Sequence, residues 1–82
     1  MTTVTSLSDA EALRALVHRD GKQMTAVHIG TCEMSVYRWL RQRTAPTMFR
    51  AVQSLRTRAA TLTTEEIKAW RNAERASTRA AS

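Results

Sequence analysis

The sequence predicts an all-α fold, a compact bundle of about five short helices containing a helix-turn-helix, and three observations carry that prediction. Apolar residues recur at the i, i+3, i+4 spacing of a helical face in one segment after another. Two segments open with a capping box, Ser8 with Glu11 and Thr63 with Glu66, in which a hydroxyl and a carboxylate three residues apart satisfy each other's free amides. Between them, Lys22 to Pro46 places the small Ala26 four residues before Gly30 and then starts a second apolar stripe. That is the spacing of two short helices crossing closely at a tight turn.

Residues 1–7 are rich in Thr and Ser without periodicity and read as a flexible arm. Ser8 then caps a first helix whose stripe is Ala10, Leu13, Leu16 and Val17, ending near Gly21. Its expected task is structural, closing the core over the motif. The second helix runs from Lys22 or Gln23 to Ile29, with Met24, Val27 and Ile29 as its apolar residues and His28 at the surface. Gly30 tolerates the positive φ that ends it. Thr31 and Cys32 form the turn and the cap of the third helix, Cys32 as a small buried thiol. In that helix Val36, Trp39 and Leu40 share one face, and Glu33, Met34, Tyr37, Arg38 and Arg41 share the other. The second face is the one open to a partner.

Pro46 closes a basic loop, and Thr47 caps a fourth helix with Met48, Val52, Leu55 and Ala59 inside and Arg50, Arg56 and Arg58 outside. A fifth helix starts at Thr63, stapled by Leu62 and Ile67, and runs to about Ala76. Its apolar side, Ile67, Trp70, Ala73 and Ala69, is short enough to fold back on the first helix or to meet a second copy. The second option is the expected one, which makes Ile67 and Trp70 dimerisation residues. Residues 77–82 lack large apolar side chains and are expected to be disordered. The chain thus divides into an arm at 1–7, a helix-turn-helix domain at 8–61, a C-terminal helix at 62–76 and a tail at 77–82.

Composition narrows the function. An 82-residue chain makes one small domain with a thin stability margin, which a dimer partner would widen. The single cysteine excludes an internal disulfide. No signal peptide, long apolar run or lipidation motif is present, so a reduced cytoplasmic setting without membrane is expected. His18 and His28 are ten residues apart and share no ligand spacing with Cys32, so no metal is expected. Nor does any catalytic constellation appear: there is no phosphate-cradling glycine loop, paired carboxylate or Cys-His arrangement. No cofactor is implied.

Charge is the stronger signal. Net charge is +6, but residues 1–33 sum to −1 and residues 65–82 to +1, whereas residues 34–64 hold six arginines and no acid. A block of that kind suits a polyanion, and the planar guanidinium suits phosphate. On the outward face of the third helix, Arg38 is the leading base-reading candidate, because arginine pairs bidentately with guanine. Met34 and Tyr37 can pack on thymine methyls, and otherwise form an unusually apolar solvent face. Glu33 either accepts from a cytosine amino group or simply complements the helix dipole.

The run Ser35-Val36-Tyr37-Arg38-Trp39-Leu40-Arg41-Gln42-Arg43-Thr44-Ala45-Pro46-Thr47 resembles the Cro/repressor-type (Xre-like) helix-turn-helix family, and the resemblance extends from about Leu13 to Leu55. It rests on Ser35, Val36, Arg38, Trp39, Arg41, Arg43, Pro46 and Thr47, and departs at Leu40, where the family usually has glutamate, and at Gln42, where it often has glycine. The family places a contacting side chain at Arg38 and a backbone-contacting loop at Arg41 and Arg43, and it puts Gln23 at the start of the second helix. Lys22, Gln23, Ser35, Arg41 and Arg43 are therefore the expected phosphate contacts, with Glu33, Met34, Tyr37 and Arg38 as the expected base contacts. The partner this implies is double-stranded DNA, an inverted-repeat operator bound by a homodimer. The protein would then be a small phage or mobile-element regulator, a repressor or autorepressor. The rival expectation is a protein-interaction module on the same motif, such as a phage packaging subunit or an antitoxin.

Overall fold

The computed structural model describes residues 7–81, and the side chains of residues 7–77. Five helices follow in order, α1 (Asp9–Asp20), α2 (Lys22–Ile29), α3 (Glu33–Gln42), α4 (Phe49–Ala59) and α5 (Thr64–Ala81). No strand occurs among the described residues, so the all-α bundle of five helices is the fold. Most of the expected arm, residues 1–6, and Ser82 lie outside the described residues. Leu7, grouped above with the arm, is instead partly buried against the core.

The bundle is organised on α1, which touches each of the other four helices. Its capping box forms: the Glu11 amide donates to the Ser8 hydroxyl at 3.2 Å, and the Ser8 amide donates to the Glu11 carboxylate at 3.0 Å. The buried face is Ala12, Leu13, Ala15 and Leu16, so two alanines replace the expected Ala10 and Val17. Methyl-sized side chains there let neighbouring helices approach the α1 backbone closely. Leu13 and Leu16 form the core with Ile29, Leu55, Leu62, Ile67 and Trp70.

Gly21 alone separates α1 from α2, at φ +90° and ψ 161°, a conformation open to essentially no other residue. So short a turn fixes the phase of α2. Thr25, Ala26 and Ile29 face inward, while the apolar Met24 and Val27 are exposed. At the far end of α2 the Thr31 amide reaches the Ala26 carbonyl at 2.9 Å and the Gly30 amide reaches the Val27 carbonyl at 3.2 Å, with Gly30 at φ +84°. This is the Schellman closure that the glycine predicted.

The same closure ends α3 without a glycine. Arg43 adopts φ +54° and ψ 42°, its amide reaching the Leu40 carbonyl at 3.3 Å and the Thr44 amide reaching the Trp39 carbonyl at 2.9 Å. A left-handed conformation costs a non-glycine residue roughly 1–2 kcal/mol. Beyond it the loop is anchored by the buried Pro46, and the N-cap of α4 is Met48 rather than Thr47, the helix starting at Phe49. Met48, expected inside, is 75% exposed at the N-cap, and Phe49 is 74% exposed beside it. Burying Pro46 turns the first residues of α4 outward, so the inner face starts only at Ala51 and Val52.

The fifth helix corrects two expectations. Its start is as predicted, with the Glu66 amide donating to the Thr63 hydroxyl at 3.1 Å and the Thr63 amide donating to the Glu66 carboxylate at 2.9 Å. It then folds back on α1: Ile67 is 8% and Trp70 5% exposed within the single chain, so neither side chain is free for a second copy. The indole N–H donates to Glu74 at 3.3 Å, and Arg14 of α1 grips both oxygens of that carboxylate at 2.6 Å. A polar partner for the tryptophan is thus present within the chain. Residues 77–81, expected to be disordered, continue α5. Once a helix is nucleated and docked, each added residue gains a bond at little further cost, and alanine and arginine favour it.

Three carboxyls tie this arrangement to pH. The Arg19 guanidinium bonded to Asp20 holds that carboxyl below its ordinary value, and the Thr63 amide does the same for Glu66. At Glu74 burial pushes upward, but Arg14 and the Trp70 N–H together outweigh it and leave the carboxyl lowered. A carboxyl that is more acidic folded than unfolded contributes stability above its unfolded pKa, and that contribution disappears as pH falls through the folded value. The thermal midpoint should therefore drop as pH falls below about 4. A midpoint unchanged down to pH of about 2 would show that these bonds contribute nothing.

Candidate nucleic-acid interface

The spatial position of α3 follows from its two-sided sequence. Val36 is fully buried and Trp39 and Leu40 are half-buried against the core, while Glu33, Met34, Tyr37, Arg38 and Arg41 are exposed, the partition the spacing predicted. Only α2 and α1 pack on α3, which leaves its outer side uncovered by described residues. Arg14 also donates to the Leu40 carbonyl at 3.4 Å, fixing the end of α3 to α1.

The outer face brings together residues from two helices. Tyr37 lies between two cations, with the Lys22 Nζ 5.7 Å and the Arg41 guanidinium carbon 5.8 Å from the ring centroid. Both distances are within cation–π range, so the start of α2 and the C-terminal half of α3 meet on one surface at the tyrosine ring. Met34, Tyr37, Arg38, Arg41 and Gln42 line a shallow hollow on it. Gln23 is exposed at the start of α2, next to Lys22. The N-cap there is Gly21, which has no side chain to satisfy the first amides of α2, and these remain open to an external acceptor.

Two candidates sit differently. Ser35 is half-buried, its hydroxyl 3.4 Å from the Cys32 Sγ, and Cys32 itself is exposed at the N-cap rather than buried. The hydroxyl contact holds the Cys32 thiol below its ordinary pKa. Arg43 lies at the other end of α3 and turns toward α5, lining a cleft with Arg14, Arg71, Glu74 and Arg75. His28, expected at the surface, is half-buried beside Asp20 and Arg58, and its Nδ1 has no hydrogen-bond partner among the described residues.

Ion pairing redraws the charge map. Arg56 binds Asp9 through two bonds of 3.0 Å, Arg58 lies 3.7 Å from Asp20, Arg19 pairs with Asp20 and Glu66, and Arg14 pairs with Glu74. The block of six arginines is therefore not uniform, and Arg56 and Arg58 are turned to acids of α1. Lys22, Arg38, Arg41, Arg43 and Arg50 make no ion pair among the described residues. Positive potential is left where α2 and α3 meet and at the end of α3. Sequence reasoning missed Arg71 and Arg75, although their i, i+4 spacing on a helix was available as a signal.

Fold and surface together define a small all-helical basic domain with an unpaired cationic helix face. Compared with models of protein families, with curated proteins and with solved structures, the chain matches none. Among the described residues no helix is long and apolar enough to cross a membrane.

Proposed function

We propose that the protein is a sequence-specific double-stranded DNA-binding regulator of transcription, working in the cytoplasm as a small repressor or autorepressor. In this reading α2 and α3 act as a helix-turn-helix, with α3 in the major groove. The observation that carries it is Tyr37 held between Lys22 and Arg41 on a face whose cations have no acidic partner among the described residues, next to Arg38. Acids elsewhere pair with Arg14 and Arg19 of α1 and with Arg56 and Arg58 of α4, whereas the cations of this uncovered face stay unpaired among the described residues. Arg38 reads a base edge, with Met34, Tyr37 and Glu33 beside it. Lys22, Gln23 and Arg41 bind phosphate, and Ser35 adds a hydroxyl at the start of the helix.

An inverted-repeat operator bound by a homodimer remains part of the proposal, with the contact between copies moved away from Ile67 and Trp70. The adjacent exposed Met48 and Phe49 support the start of α4 as that contact, since large apolar side chains open to water are the usual mark of an interface.

Selection of bound duplexes from a random pool tests the reading, and a consensus sequence is the expected result. Binding to the selected site should also weaken steeply with salt. At a log-log slope of about −0.9 per phosphate neutralised, Lys22 and Arg41 give about −2 per protomer. A pool that yields no consensus overturns the sequence-specific reading, and a flat salt response removes DNA as the partner.

A further inference from the structure

At the end of α3, away from the Tyr37 face, three arginines without an ion pair among the described residues line one cleft. Arg43 comes from the α3 terminus and Arg71 and Arg75 from successive turns of α5, over a floor of Ala10 and Trp70. The lining also includes Arg14, Glu11 and Glu74, so it carries four arginines against two carboxylates, and Arg43 adds its attraction to Glu74. Glu74 is held by Arg14 through two bonds of 2.6 Å and accepts from the Trp70 N–H, and Glu11 accepts from the Ser8 amide at 3.0 Å. Arg43, Arg71 and Arg75 make no ion pair among the described residues. The cleft lining therefore carries an excess of positive charge at close quarters. An anion held there would balance that excess charge, and the guanidinium fork matches the oxygens of phosphate.

We infer that this cleft, of about 420 Å³, is a phosphate-binding site built jointly by α3 and α5. Resting on the DNA-binding reading, the inference gives the site a ligand, a backbone phosphate of the bound duplex beyond the reach of the Tyr37 face. The fifth helix thereby becomes part of the nucleic-acid surface. Arg14 is a positioning residue: it fixes Glu74 and the Leu40 carbonyl, and so sets the distance between the end of α3 and the side of α5.

The test uses the full chain in two arms. In the first, Arg71→Ala with Arg75→Ala is titrated against the selected duplex and random DNA over a range of salt. Both side chains are exposed, so the fold is preserved. The double variant should lose affinity for both DNAs by the same factor and flatten the salt slope by about two, with base preference unchanged. Arg43→Gly, whose glycine suits the left-handed backbone, should flatten it by about one. In the second arm, inorganic phosphate is added to DNA-free protein at constant ionic strength while the arginine Nε–H resonances are followed. The signals of Arg43, Arg71 and Arg75 should move together, and those of Arg56 and Arg58 should stay. Phosphate that moves the three signals in a protein that binds no DNA supports the cleft and overturns the DNA reading. Normal DNA binding with an unchanged slope in the double variant, and no selective phosphate shift, overturns the cleft.

Discussion

Replacing Trp70 with alanine lowers the free energy of unfolding by about 3–5 kcal/mol, the usual cost of emptying a buried tryptophan site. The residue is 5% exposed, packs within the same cluster as Leu13, Leu16 and Leu55, and donates its indole N–H to Glu74. Removing it opens a cavity against α1 and takes a bond from the carboxylate that Arg14 holds. A domain of this size has a total stability of only about 5–15 kcal/mol. Each kcal/mol shifts the midpoint of such a domain by roughly 4–8 °C, so the melt should fall by more than about 10 °C. Thermal melts followed by circular dichroism measure the loss, and sedimentation of both proteins measures assembly alongside it. A normal melt combined with lost self-association would return Trp70 to an interface between copies and overturn the fold-back of α5.

The second large effect falls on specificity. Arg38 is exposed on the uncovered face of α3, in the hollow shared with Met34, Tyr37 and Arg41, and no acid competes for it among the described residues. If it binds a guanine through both its nitrogens, Arg38→Ala should remove about 1–3 kcal/mol of discrimination at one base pair of each half-site. Arg41→Ala, its neighbour over the Tyr37 ring, should instead weaken binding to all sequences equally and flatten the salt slope by about one. Titrations of both variants against the selected site, singly changed sites and random DNA separate the two roles. Equal loss on every duplex for Arg38→Ala would make it a phosphate contact and shift base reading to Glu33, Met34 and Tyr37.

Both experiments turn on residues whose secondary structure the sequence made plain and whose surroundings it did not. The faces of α3 could be read from spacing alone, because side chains three and four apart share a side of any helix. For α5 the same spacing identified Ile67 and Trp70 as one apolar stripe but could not say what covers it. A stripe looks alike whether its partner is α1 of the same chain or another copy. The start of α4 failed for a related reason: Met48 fits the helical pattern, but the buried Pro46 sets where the loop leaves the core and turns Met48 outward.

What the sequence determined by itself is local. The capping boxes at Ser8 and Thr63, the glycine closure at Gly30 and the outward set Glu33, Met34, Tyr37, Arg38 and Arg41 each depend on residues within four or five positions, whose geometry a helix dictates. Tertiary structure decided the electrostatics. Arg14 finds Glu74 across 60 residues and Arg56 finds Asp9 across 47, and these pairings separate quenched arginines from free ones within a run that reads as uniformly basic. It also carried Arg43 to Arg71 and Arg75, through a left-handed turn at a residue that is not glycine. Charges act through space at distances of a few ångströms, and only the packing of α1 against every other helix sets those distances.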